Sequence, residues 1–289
     1  LEFKPDFVWI KGRSIAAWHR LQNSVVGANK LLYSNSTNAE ATNEVNGYVS
    51  EFTKDGFKLA DPDSNGGGVN ANGETYVAWC WKAGGAAVSN SDGAIASSVS
   101  VNTESGFSIG TFSGTGSTNT VGTGLSNTKV VILKNRSTSS TNWVFYHNIV
   151  DGSYDYMYLN LSNANSNSAL THTMTNTFKV GSNNDTNASG SNYVFYAWEE
   201  VPGYSKIGKY VPNQSDNGTF VHLGFRPAWI ILKSVGNIFG GGSPFSGNWY
   251  IIDTSRDDDN PTRGTIAPPT NSAEDTAWPA SGLLDIVSN

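Results

Sequence analysis

Phe3-Lys4-Pro5-Asp6-Phe7-Val8-Trp9-Ile10-Lys11 decides how the chain is read, because the phrase returns. Phe225-Arg226-Pro227-Ala228-Trp229-Ile230-Ile231-Leu232-Lys233 repeats it closely. Thr128-Lys129-Val130-Val131-Ile132-Leu133-Lys134 is a third version without the proline. Each is an apolar string ending in lysine, followed by a polar loop and an aromatic string. Those strings are Trp18-His19-Arg20-Leu21, Trp143-Val144-Phe145-Tyr146 and Trp249-Tyr250-Ile251-Ile252-Asp253. Further on, Gly56-Phe57-Lys58-Leu59 leads to Tyr76-Val77-Ala78-Trp79-Cys80-Trp81, as Thr177-Phe178-Lys179-Val180 leads to Tyr193-Val194-Phe195-Tyr196-Ala197-Trp198. A connector recurs as Gly106-Phe107-Ser108-Ile109-Gly110 and Gly203-Tyr204-Ser205-Lys206-Ile207-Gly208. A period of roughly 100 residues marks domain-sized units rather than a solenoid of short repeats.

Runs of four to eight residues rich in Val, Ile, Trp, Tyr and Phe, separated by Gly/Asn/Ser/Thr loops, read as β-strands. Helical signal is confined to single turns, so the fold class is all-β, with tandem antiparallel β-sandwich repeats. The expected units are 1–95, 96–202 and 203–289. The first lacks its connector strand and the third ends before its Gly-Phe-Lys hairpin. The chain therefore reads as an excerpt of a longer polypeptide whose end cores are completed by a neighbour.

Composition narrows the function. Of 289 residues, 32 are Asn, 35 Ser and 24 Thr, while only 15% are charged. The surface is thus neutral and polar, made of short side chains that favour turns over helix interiors. A net charge of -6 with scattered Lys and Arg argues against nucleic-acid binding. No apolar run is long enough to cross a bilayer as a helix, so no membrane insertion is expected. One cysteine excludes an intrachain disulfide framework.

Few motifs carry chemistry. Asp61-Pro62-Asp63-Ser64-Asn65-Gly66 opens like a calcium loop, with Asp61, Asp63 and Asn65 as oxygen ligands for Ca2+. The spacing then fails: Asn72 stands where the bidentate Glu belongs, and a hairpin loop is the plainer reading. No other cofactor is implied. Asp257-Asp258-Asp259 reads as a solvated loop beside Arg256 and Arg263. Glu199 and Glu200 are strand neighbours that point to opposite faces, which disfavours a catalytic pair. No nucleophile elbow, phosphate loop or histidine cluster is present, so no enzyme is expected. His19 and His147 sit near equivalent strands. Cys80, between two tryptophans, reads as inert core. Lys11, Lys134 and Lys233 are expected to pair with carboxylates or to protect sheet edges. Trp18, Trp143 and Trp249 recur, which favours a shared core role. Unshared loop aromatics, Trp278, Phe239 and Phe245, are the candidates for a ligand or interface.

The combination of Lys-Pro-Asp-Phe-Val-Trp-Ile-Lys at 4–11, Trp-Val-Phe-Tyr-His at 143–147, Gly-Phe-Lys at 56–58 and Gly-Tyr-Ser-Lys-Ile-Gly at 203–208 resembles repeated domains in virion proteins of marine bacteriophages, notably those of cyanobacteria. The resemblance spans nearly the whole chain. It implies lectin-like sandwiches of the concanavalin or jelly-roll type in a tail fibre or other surface structure, hence a virion or extracellular location. It also implies a homo-oligomer, by default a trimer, in contact with other virion proteins and host cell-surface polysaccharide. A dedicated carbohydrate-binding module, a polysaccharide depolymerase and a cellular surface filament are the alternatives.

Overall fold

The computed structural model describes residues 1–61, 68–213, 215, 217–235, 247–257, 259–277 and 284–287. The first third holds β1 (Phe7–Gly12), β2 (Arg20–Asn23), β3 (Lys30–Leu31), β4 (Ala41–Thr42), β5 (Tyr48–Thr53), β6 (Gly56–Ala60) and β7 (Tyr76–Trp81). A connector follows: β8 (Val88–Asn90), β9 (Ser97–Asn102), β10 (Phe107–Ser113) and β11 (Asn119–Gly122). Next come β12 (Thr128–Asn135), β13 (Val144–His147), β14 (Asp155–Tyr158), β15 (Ser166–Asn167), β16 (Thr177–Val180) and β17 (Asn192–Glu199). The last are β18 (Trp229–Lys233) and β19 (Trp249–Asp253). No helix occurs among the described residues, and the named strands pair antiparallel throughout. The chain is all-β, with several antiparallel sheets consistent with a β-sandwich architecture.

The three lysine-ended strings share one pairing register. β1 lies between β2 and β7, and β12 lies between β13 and β17. Phe7 faces Asn23 and Trp81; Val130 faces His147 and Trp198; Trp229 faces Asp253. One strand further out, Leu21 bridges Leu32, Phe145 pairs Met157 and Ile251 bridges Ile266. This register corrects the alignment of the aromatic strings. Lys233 lies opposite Trp249, and the same count places Trp143 beside Lys134 but His19, not Trp18, beside Lys11. His147 aligns with Asn23 and Asp253, so it is no counterpart of His19. A one-residue slip moves a side chain to the other face of a strand. Trp143 and Trp249 are accordingly buried, whereas Trp18 is 40% exposed.

Alternation sends one face of these sheets to a single core. Phe7, Trp9, Leu21, Trp79, Ile132, Phe145, Tyr196, Trp249, Ile251 and Ile266 all meet there. The opposite faces have separate partners. Val8 and Ile10 pack with Val49 and Val69 under the β5–β6 hairpin. Val131, Leu133, Tyr146 and Phe195 pack with Phe178 and Val121 of the β11–β16 pair.

Three hydrogen bonds close a ring around the central core. Trp143 Nε1 donates to the Tyr33 carbonyl at 2.8 Å, and Trp249 Nε1 donates to the Tyr158 carbonyl at 3.0 Å. Trp9 Nε1 donates to His19 Nδ1 at 2.8 Å, so Nε2 carries the ring proton and donates to the Ala267 carbonyl at 3.2 Å. Each acceptor follows the residue bridged by the outer strand: Leu32, Met157 and Ile266. Trp143 thus ties the middle of the chain to its first third, Trp249 ties the last third to the middle, and His19 ties the first third to the last.

The repeated lysines depart from expectation. Lys11 and Lys134 are fully buried and protect no edge. Their ammonium groups donate to backbone carbonyls, Lys11 to Gly12 at 2.7 Å and Lys134 to Thr141 at 2.9 Å; Lys233 donates to Gly247. Burial lowers each amine to about 8.

Candidate functional site

The ring brings loops from distant parts of the chain together around an open groove of about 750 Å³. Trp18 precedes β2, Tyr33 follows β3, and the turn before β5 supplies Glu44 and Asn46. That turn needs unusual backbone: Asn43 at φ 51° and Gly47 at φ 96° both lie in the left-handed region. A Cβ on Gly47 would also come within 2.5 Å of Val69. Glu40, Asn38 and Ser139 form another wall, and Asn271 reaches in from the last third of the chain.

Trp18 packs edge-to-face on Tyr33, with ring centroids 5.0 Å apart, and leaves much of its indole in solvent. The Arg20 guanidinium lies 5.8 Å over the Tyr33 ring. It is fixed by donating to the carbonyls of Gly47 at 3.1 Å and Trp18 at 3.3 Å. Tyr33 donates its hydroxyl to Glu44 Oε2 at 3.1 Å, and Asn46 Nδ2 donates to Glu44 Oε1 at 3.3 Å. Burial lowers the Arg20 pKa, and burial beside the Glu44 charge raises that of Tyr33. Glu40 accepts both prongs of Arg136, Nε at 2.7 Å and Nη2 at 3.1 Å, which ties the wall to the end of β12. The groove therefore offers an aromatic ring, amides and carboxylates held by their own neighbours before any ligand arrives.

The residues singled out in the sequence lie elsewhere. Asp61 ends the β6 hairpin; Asp63, Asn65, Trp278, Phe239 and Phe245 lie outside the described residues. Among the described residues no group of three or more His, Cys, Asp or Glu is placed to hold a metal ion. Glu199 accepts from the backbone of Ser126 and Asn127 at 3.1 and 2.9 Å, while Glu200 pairs with Lys206 at 3.1 Å. Arg256 turns inward to Asp253 at 2.5 Å and to Glu274, while Asp257 caps the Arg263–Gly264 turn. Of the acidic stretch, Asp257 accepts from backbone amides and Asp259 is exposed, while Asp258 lies outside the described residues. Cys80 is half-buried and its thiol is pushed up to about 11 by burial, matching an inert core position. Sequence reasoning missed Trp18 as a surface group. Its neighbour His19 carried the signal, since only one of the two can face the core.

Structure and groove define an all-β protein with a preformed polar groove beside an exposed tryptophan. The chain belongs to the family described as "Domain of unknown function (DUF7483)", whose model matches residues 1–289. Neither a curated protein nor a solved structure matches it.

Proposed function

We propose that the chain is a non-catalytic component of a virion appendage, built of lectin-like copies, that contacts host-surface polysaccharide through the groove beside Trp18. The observation that carries this reading is the exposed indole of Trp18 next to fixed Glu44, Asn46 and Arg20 groups. A pyranose ring presents an apolar C–H face and a rim of hydroxyls. An indole face suits the first, and carboxylates and amides suit the second. The neutral amide and hydroxyl surface supports exposure to high salt, where charge pairs are screened. Hydrolysis of a polysaccharide requires a second, unencumbered carboxylate across the sugar. Here Glu40 is held by Arg136, and Glu44 by Tyr33 and Asn46, which favours binding over turnover.

Titration against a panel of bacterial surface polysaccharides tests the proposal. Trp18→Ala is expected to weaken binding at least about ten-fold, equivalent to about 1.4 kcal/mol. Its thermal midpoint should be unchanged, because the indole is outside the core. Failure of every polysaccharide to bind, or equal binding by the variant, would overturn the reading.

A further inference from the structure

The groove beside Trp18 is unbalanced in charge. Among the described residues its lining holds two carboxylates, Glu40 and Glu44, against one guanidinium, Arg20. Arg20 is 4% exposed and donates to the carbonyls of Gly47, Trp18 and Asn46, so its N–H groups are engaged within the protein. Glu40 is neutralised by both prongs of Arg136. Glu44 differs. It is half-buried in the groove wall, and its hydrogen-bond donors are neutral: the Tyr33 hydroxyl at 3.1 Å and the Asn46 amide at 3.3 Å.

Tyr33 also sets where that charge stands. Its ring packs edge-to-face with Trp18 and its hydroxyl bonds Glu44, so indole and carboxylate are one tyrosine side chain apart. A pyranose is a ring of similar size. A sugar seated on the indole therefore carries a ring substituent to Glu44. An ammonium substituent suits both neighbours: the carboxylate takes it in a charge-assisted hydrogen bond, and the indole face attracts a cation. A carboxylate or sulfate in the same place meets a like charge, with no disengaged cation in the described lining to receive it.

We propose that the groove selects sugars bearing a protonated amine over neutral ones and disfavours uronic or sulfated sugars, with Glu44 as the group that reads the charge. The inference rests on the saccharide reading of the groove and adds the substrate class.

A short β-1,4-linked glucosamine oligomer in free-amine, N-acetylated and N-succinylated forms gives one backbone with a positive, a neutral and a negative substituent. Calorimetric titration uses the whole chain, at low salt and a mildly acidic pH that keeps the amine protonated. The three forms are expected to bind in that order of affinity, the ammonium form about five- to ten-fold tighter than the neutral one. Added salt should narrow the difference by screening the ion pair. Glu44→Gln should bind the ammonium and neutral forms alike. Glu51→Gln, which removes the same charge outside the groove, should keep the preference. Equal binding of the ammonium and neutral forms by the unaltered chain overturns the proposal, whether or not any variant folds. So does a preference that survives Glu44→Gln, or one that Glu51→Gln abolishes as well. If the neutral form then still binds and is weakened by Trp18→Ala, the saccharide reading stands without the charge preference. Binding of none of the three forms overturns the proposal, and the surface-polysaccharide panel decides the saccharide reading separately.

Discussion

At residue scale, Trp9 and His19 occupy the register positions that Ile132 and Trp143 hold at β12 and that Ile231 and Trp249 hold at β18. One large and one smaller group fill the same space in reversed order. His19→Trp alone would crowd Trp9 and orphan its indole N–H, and should destabilise by roughly 2–4 kcal/mol in urea melts. Adding Trp9→Ile should restore most of the loss, because it recreates the pair of the other units. The histidine also sets the acid limb. Burial, reinforced by the Lys11 charge, lowers its pKa to about 3, against roughly 6.5 in the unfolded chain. The unfolded state therefore binds the extra proton, and stability should fall as pH drops from about 6.5 towards 3. The double variant should lose that contribution to the slope. For Lys134 the folded value near 8 lies below an unfolded value of roughly 10.4. The unfolded state holds the proton more tightly in that interval, so the lysine's contribution to stability rises with pH across it. The stability difference between wild type and Lys134→Met should shift in favour of wild type from pH 8 to 10. A flat difference in denaturant titrations would contradict it.

At the scale of elements, the end of β19 is bound to β7 by charge as well as by packing. Trp79 Nε1 on β7 donates to Asp253 Oδ2 at 2.9 Å, and Arg256 stacks 5.7 Å over the Trp79 ring. Glu274 then receives Arg256 and, at 2.6 Å, Arg13 just beyond β1. Arg256, Asp253 and Glu274 side chains are all nearly inaccessible. Glu274→Ala leaves Arg256 its Asp253 partner but removes the acceptor it shares with Arg13, so it should cost about 1.5–3 kcal/mol, whereas exposed Glu51→Ala, which loses Lys58, should cost under about 1 kcal/mol. Chemical denaturation of both variants measures the contrast. None of this network was visible as motif. Its members are far apart in the chain, and only the ring closure brings β1, β7 and β19 together.

At the scale of the molecule, the central core draws on the first, middle and last thirds of the chain at once. Isolating residues 96–202 would keep the cluster around Phe178 and Phe195 but bare Ile132, Phe145 and Tyr196 on the other face. That fragment should associate or bind a hydrophobic dye in solution, and the full chain should melt in one calorimetric transition. A monomeric, dye-silent fragment would mean that the units stand alone. The expected boundaries at 95 and 202 were drawn from sequence similarity, which records the pattern of a unit but not what its second face touches.

The sequence by itself determined the all-β class and its main strands, because alternation and β-branched or aromatic residues act within a few positions. The same local rule points Glu199 and Glu200 to opposite faces, and the structure gives them separate partners. Only the tertiary structure decided which of Trp18 and His19 faces inward, that Lys11 and Lys134 are buried, and that a groove opens beside Trp18 between residues as distant as Tyr33, Ser139 and Asn271. Each depends on register or on contacts between residues a hundred or more positions apart, such as Trp143 with Tyr33. No local pattern encodes those, since the same string satisfies either face until a partner strand fixes it.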